Sequence, residues 1–309
     1  MAAEEPDRLE EVAPGVFLVH APREGHIPYA HSVLVAGDRD ILIDTGPGEE
    51  ILGKLKLSRK IGLVLNSHYH RDHNCGNWMF NDVPVKIHSL DAPMLNSLPI
   101  YFRQMGVTGR RDAREIRKFT LEFIPHVQGP NAGTFEDGDA FSFGGPEVRV
   151  VHLPGHSPGH CGFFEPRGRV LFSADICPDS FGPWYCHACA SIEDFERSID
   201  RIISLDPKIM LTAHKAPLRR GIIGDLRRYK ARIGERDRAI LGLLVRPRTL
   251  AEILEAHPIY GSFGGALKLP FRFWEEMMIR KHLARLLAKK MIHRERSRYF
   301  NHCRAQGGS

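Results

Sequence analysis

His68-Tyr69-His70-Arg71-Asp72-His73 places four side chains able to ligate a metal within six residues, directly after the apolar run at residues 61–65. His-x-His on an extended segment projects two imidazoles to one side. Asp-His immediately after lets the turning chain offer two more ligands, so two metals could share this loop. Imidazole and carboxylate together suit zinc best, with iron or manganese as alternatives, and too few thiolates stand nearby for a purely structural zinc site.

Three further segments end in the same residue types. Pro154-Gly155-His156-Ser157-Pro158-Gly159-His160 follows the strand-like residues 148–151, Asp175 closes the apolar run 171–174, and His214 closes the run 209–213. Each candidate sits just past a buried strand, where a sheet delivers polar residues to its rim without burying them unpaired. Each alone reads as a turn residue. Together they predict a site built on an α/β sheet protein.

The ordered set Leu42-Ile43-Asp44-Thr45-Gly46, His68-x-His70-x-Asp72-His73, His156, Asp175 and His214 resembles the metallo-β-lactamase superfamily over residues 10–217. The resemblance implies an αββα sandwich with two divalent ions. His68, His70 and His156 would hold one, Asp72, His73 and His214 the other, and Asp175 would bridge them. The chain departs from the family's pattern at Cys75-Gly76, where paired glycines are common, and at Lys215, where glycine is common. Neither departure removes a ligand.

Water held between two cations loses its proton easily, since coordination to even one zinc brings its pKa to about 7. The expected chemistry is therefore attack by a metal-bound hydroxide, with Asp72 as the catalytic carboxylate that orients it and passes on its proton. His160 reads either as a partner to a ligand or weak oxyanion donor, or as a structural turn residue. The turn His156-Ser157-Pro158-Gly159-His160 resembles that of the glyoxalase II-like branch, which implies a thioester or similar small activated acyl substrate. Alternatives are a phosphodiesterase or endoribonuclease acting on single-stranded nucleic acid, a mononuclear-iron persulfide dioxygenase, and a non-catalytic DNA-binding module.

Composition fits an enzyme: 42% of the 309 residues are hydrophobic and 26% charged, and no apolar run is long enough to span a bilayer. The acidic start, residues 1–7, lacks the apolar core of a secretory leader, so the expected location is cytoplasmic. Six cysteines do not make a disulfide scaffold. Cys186-His187-Ala188-Cys189, with Cys177, could bind another ion or form a labile disulfide, but it reads better as a loop whose Phe181, Trp184 and Tyr185 wall the cleft. His88, His126 and His187 are read as non-ligands. Residues 110–118 look like a helical insertion overhanging the cleft, followed by a loop at residues 128–133.

Charge divides the chain. Residues 1–217 carry 22 basic and 29 acidic side chains, and residues 218–309 carry 21 and 8, so −7 gives way to +13. A boundary at 218–235 is expected, with a catalytic domain at 1–225 and a small α+β domain at 235–305. In the latter, residues 239–245 predict a helix and Arg246-Pro247-Arg248 a break. Thr249-Leu250-Ala251-Glu252 is a capping box, residues 258–270 are a Gly-rich loop, residues 271–290 are a helix with Ile279, Leu283, Leu286 and Leu287 on one face, and residues 292–300 form a hairpin. This tail resembles the winged-helix module attached to some hydrolases of the superfamily, an endoribonuclease among them. Its cations Arg280, Lys281, Arg285, Lys289, Lys290, Arg294, Arg296 and Arg298 either form a stripe that brings nucleic acid to the metals or dock the tail on the acidic domain. The second reading is preferred.

Overall fold

A computed structural model describes residues 8–124, 129–261 and 268–301. His126, Cys303, and parts of the expected 128–133 and 258–270 loops lie outside them. The first sheet runs in chain order through β1 (Leu9–Ala13), β2 (Val16–Val19), β3 (Ser32–Val35), β4 (Asp40–Ile43), β5 (Ile61–Asn66), β6 (Val85–His88) and β7 (Gly133–Phe135). It is antiparallel up to β4 and parallel from there. The second contains β8 (Ala140–Phe141), β9 (Val148–His152), β10 (Cys161–Glu165), β11 (Val170–Phe172) and β12 (Ile209–Leu211), ordered β12-β11-β10-β9-β8.

Period-two alternation in buried strands explains the layering. Val33, Ile41, Leu63 and Leu65 face Val150, Phe163, Phe172 and Leu211 between the sheets. The intervening Leu34, Leu42 and Val64 face outward onto α1 (Glu49–Ser58) through Leu52 and Leu55. On the other side, Val151, Leu171 and Met210 pack on α6 (Ile192–Leu205) and α7 (Ile222–Leu243) through Phe195, Ile199, Leu226 and Ile233. Both faces of both sheets are covered, which is the αββα sandwich the sequence predicts.

Short helices α2 (Arg71–Asn74) and α3 (Ala92–Asn96) follow β5 and β6, and the insertion forms α4 (Leu98–Met105) and α5 (Ala113–Phe123). The carboxy-terminal part contains α8 (Leu250–Leu254), α9 (Lys268–Ala288) and a sheet of β13 (Arg248–Thr249), β14 (Ile292–Glu295) and β15 (Arg298–Asn301). The capping box forms: Thr249 Oγ1 accepts from Glu252 N at 3.2 Å, and Thr249 N donates to the Glu252 carboxylate at 2.6 Å. Ile240, Ile253, Ile279, Leu283, Leu286 and Ile292 make a separate small core.

The first helix of this part is longer than the apolar run suggests, beginning at Ile222 instead of residue 239. Its first half packs on the sandwich and its second half on the small core, so the change of charge falls within a helix. Two of the expected stripe cations face the sandwich. Arg285 reaches Glu196 at 2.7 and 2.9 Å and Asp237 at 3.2 Å, while Lys281 Nζ donates to the Ala188 and Ala190 carbonyls at 3.1 and 2.7 Å.

Candidate metal centre and active site

Strand ends bring the predicted residues together at one rim. β5 runs into His68 and His70, α2 carries Asp72 and His73, the β9–β10 turn carries His156, and Asp175 and His214 follow β11 and β12. They fall into two groups, His68, His70, His156 and Asp175, and Asp72, His73 and His214, with the donor atoms of each group within 4.8 Å of one another. Asp175 faces both. Its Oδ2 lies 3.0 Å from His156 Nε2 and 3.8 Å from His68 Nε2, and its Oδ1 lies 2.8 Å from His73 Nε2 and 3.2 Å from His214 Nε2. Asp72 Oδ2 is 3.5 Å from His214 Nε2 and 3.7 Å from His73 Nε2.

Each imidazole is oriented from behind. His73 Nδ1 binds Asp44 Oδ2 at 2.8 Å, His68 Nδ1 binds Ser67 Oγ at 3.0 Å, His156 Nδ1 donates to the Trp184 carbonyl at 2.8 Å, and His214 Nδ1 donates to the Gly25 carbonyl at 2.6 Å. These partners turn four Nε2 atoms inward. His70 is reversed: its Nδ1 is 2.9 Å from His156 Nε2, and its Nε2 is 2.9 Å from His187 Nδ1. Ala174 adopts a left-handed φ of 46° immediately before Asp175. Such a conformation in a residue with a Cβ persists only where surrounding contacts enforce it.

Whether these residues fit a cation is decided by the atoms they leave unpaired. His68 Nε2, His73 Nε2, His214 Nε2 and Asp175 Oδ1 are buried, and although Asp175 Oδ1 lies close to two of these nitrogens, none of the four makes an aligned hydrogen bond. Buried polar atoms are almost always paired, so four orphans aimed at one another demand a shared partner. Electrostatics agree. Burial pushes His73 down, yet Asp175, Asp72 and Asp44 outweigh it and hold its pKa well above the usual histidine value. Burial instead pushes His68 and His70 down, toward the neutral imidazoles that ligate a metal, and the carboxylates around His73 favour positive charge that a cation liganded by imidazole and carboxylate would supply.

Three residues outside the predicted set complete the frame. Asp91, fully buried, accepts from Tyr69 N at 3.1 Å, Ser157 Oγ at 2.6 Å and Gly159 N at 2.6 Å, tying the two ligand loops together. A Cβ at Gly159 would meet Asp91 at 2.8 Å, which explains glycine there. Asp91 stands just past β6, so the strand-end rule that found the candidate ligands could have found it. His187, read as a non-ligand, belongs to neither group but touches His70, and its Nδ1 also lies 2.6 Å from the Tyr69 hydroxyl. No spacing rule reveals that contact. His160 accepts from Asp175 N at 3.3 Å and donates to the Leu153 carbonyl at 3.0 Å, so it positions Asp175 through its backbone.

Of the expected cleft wall, Trp184 lies over the centre, with its ring 5.4 Å from His156 and 5.7 Å from His70. Tyr185 is buried behind, 2.8 Å from His282 Nε2, because its hydroxyl needs a partner that the interior provides. Among the described residues all cysteines are free. The Cys177, Cys186 and Cys189 thiols contact Thr212, Tyr260 and Tyr69 and belong to no group able to hold an ion.

The profile of the metallo-beta-lactamase superfamily matches residues 28–214, from the loop before β3 to the last predicted ligand. The chain belongs to the metallo-beta-lactamase superfamily. It is similar to a metallo-beta-lactamase family protein from Thermus thermophilus, with a TM-score of 0.71 at 24% identity covering 94% of this chain and 99% of that one. A beta-lactamase domain protein from Burkholderia ambifaria gives a TM-score of 0.71 at 20% identity, covering 96% and 94%. These likenesses concern the fold and extend over the carboxy-terminal part of this superfamily member. In sequence it is 28% identical over 193 residues to the human acyl-coenzyme A thioesterase MBLAC2, covering 56% of this chain and 66% of the relative. It is 27% identical over 254 residues to an atrochrysone carboxyl ACP thioesterase from Claviceps purpurea, covering 78% and 68%. A hydroxyacylglutathione hydrolase from Synechococcus is 25% identical over 135 residues, covering 43% and 42%.

Proposed function

We propose that the protein is a binuclear metal-dependent thioester hydrolase. His68, His70 and His156 hold one divalent cation, Asp72, His73 and His214 hold the second, and Asp175 joins them. The observation that carries this is the inward set of orphaned nitrogens around a carboxylate facing both groups. Zinc suits the donor set best, with iron or manganese as alternatives. When bound, the cations supply an acidified water and a Lewis acid for the acyl carbonyl.

The chain's own residues position and receive. Asp72 keeps a carboxylate at the centre to take the proton released as water adds to the thioester carbonyl; the carbon–sulfur bond then breaks and the thiolate leaves. No protein nucleophile is required. The Ser157 hydroxyl is already committed to Asp91 at 2.6 Å, and the Cys75 thiol is turned toward the Thr45 carbonyl at 3.9 Å. Three relatives whose names specify thioester substrates or acylglutathione support this choice of acyl compound.

Thioester, lactone, phosphodiester and RNA substrates, each assayed with and without chelator on protein of measured metal content, test the proposal. Chelator-sensitive cleavage of thioesters with about two ions per chain is expected. Cleavage of RNA or a phosphodiester alone, or a metal content fixed near one after reconstitution with excess zinc and iron, would sink it.

A further inference from the structure

Incompletely buried aromatic side chains occur in several places in this protein, whereas Phe80, Phe135, Phe163, Phe172, Phe195 and Phe273 are all but inaccessible. One row of them is linked ring to ring and begins at the candidate centre. Trp184, Trp274 and Phe119 are only partly buried, and Phe123 is 39% exposed. Trp184 stands edge-on to Trp274 with centroids 6.1 Å apart, Trp274 lies 6.5 Å from Phe119, and Phe119 stacks on Phe123 at 5.4 Å.

Both ends of this row meet the metal loop. At one end Trp184 covers His70 and His156. At the other, Phe123 is followed by Ile124, whose carbonyl accepts from Arg71 Nε at 3.0 Å, and Arg71 separates His70 from Asp72. The insertion helix α5 is thus clamped beside the ligands, and α9 supplies Trp274 as the wall between. Scattered exposed apolar residues mean little, but a row of linked, incompletely buried aromatic rings that borders the candidate centre is suited to bind an apolar group. The row itself bears no charged group, and Arg71 is committed to the Ile124 carbonyl.

We infer that this row seats the acyl group of the substrate, and that the thioesters taken are those with an extended apolar acyl chain. The inference rests on thioester hydrolysis being the function, and it makes the insertion and the carboxy-terminal helix the elements that set specificity. The thiol half of the substrate would leave on the side away from the row.

The test uses the full-length, metal-loaded protein and coenzyme A thioesters from acetyl to decanoyl. Burial of each further methylene should raise kcat/KM about fourfold until the row is covered. The double variant Phe119→Ser/Phe123→Ser should flatten that dependence, lowering the decanoyl-to-acetyl ratio at least about tenfold. Because Phe119 also packs internally, a second measurement is made on the unaltered protein: decanoate, and not acetate, should shift tryptophan fluorescence through Trp184 and Trp274. A kcat/KM that is flat or falls with chain length, or fluorescence indifferent to decanoate, overturns the inference. If no thioester of any length is cleaved, thioester hydrolysis fails as the function, and the decanoate shift still decides whether the row binds apolar chains.

Discussion

Two buried clusters in this molecule are made of the same residue types and behave oppositely. At the junction of the sandwich and the carboxy-terminal part, His282 Nδ1 binds Asp237 Oδ1 at 2.6 Å, His282 Nε2 binds the Tyr185 hydroxyl at 2.8 Å, and Arg285 joins Asp237 at 3.2 Å to Glu196 at 2.7 Å. Both His282 nitrogens have partners. At the rim, Asp175 and its histidines leave four inward atoms unpaired. A histidine–aspartate cluster that closes on itself is structural, and one that leaves a common gap is a cation site. Burial alone does not distinguish them; the completeness of the pairing does.

The largest effects should separate the two clusters directly. Asp175→Ala removes the carboxylate facing both groups. Metal content should drop to one ion per chain or fewer, and the rate should fall by more than the ~10–100-fold typical of losing an outer hydrogen-bond partner. Asp237→Ala should instead keep the metals and cost about 2 kcal/mol in denaturant unfolding, because buried His282 loses the acceptor for its Nδ1 while Arg285 keeps Glu196. Elemental analysis and urea melts of both variants decide. A metal-replete Asp175→Ala, or a folded Asp237→Ala that has lost its ions, would erase the contrast.

A smaller effect sharpens it. His187 lies outside both ligand groups but backs His70, the one ligand turned the opposite way. His187→Ala should weaken metal binding about 10–100-fold in chelator competition, and His187→Gln, which keeps a polar partner, should recover part of that loss. Equal affinity in His187→Ala and the wild type would reduce His187 to packing.

What was legible in the sequence follows the same division. The seven candidate ligands could be read because each lies in a segment that follows a strand, a position that hydrophobic runs mark clearly, and because their types are unusual there. The sandwich followed from the resemblance that those motifs carry, and the capping box at Thr249 and Glu252 was legible because its bonds are local. Contacts between distant segments were not. His187 meets His70 across 117 positions, and Arg285 meets Glu196 across 89, pairings that no local pattern encodes. The start of α7 was missed because Arg and Lys on its exposed face obscure the apolar positions Ile222, Leu226, Tyr229 and Ile233 that pack on the sandwich.

An effect confined to acid pH lies in the loop that backs His214. Gly25 gives its carbonyl to His214 Nδ1, and the loop is pinned at both ends by His31, whose backbone N donates to the Ala213 carbonyl at 2.8 Å and whose Nδ1 accepts from Ala21 N at 2.9 Å. Accepting that bond requires a neutral ring. Burial, with nearby His20 and His214, pushes the His31 pKa down to about 4 from an ordinary 6.5. Between those values the unfolded chain binds the proton and the folded one does not, so stability falls as pH drops from 6.5 toward 4 and is unaffected above that window. His31→Asn offers a carbonyl oxygen as acceptor without a proton to gain. In metal-free protein, where ligand loss cannot contribute, the wild type should lose about 2 kcal/mol more than His31→Asn between pH 7 and pH 5. Parallel stability curves for the two proteins over that range would show that His31 does not hold the loop through a neutral Nδ1.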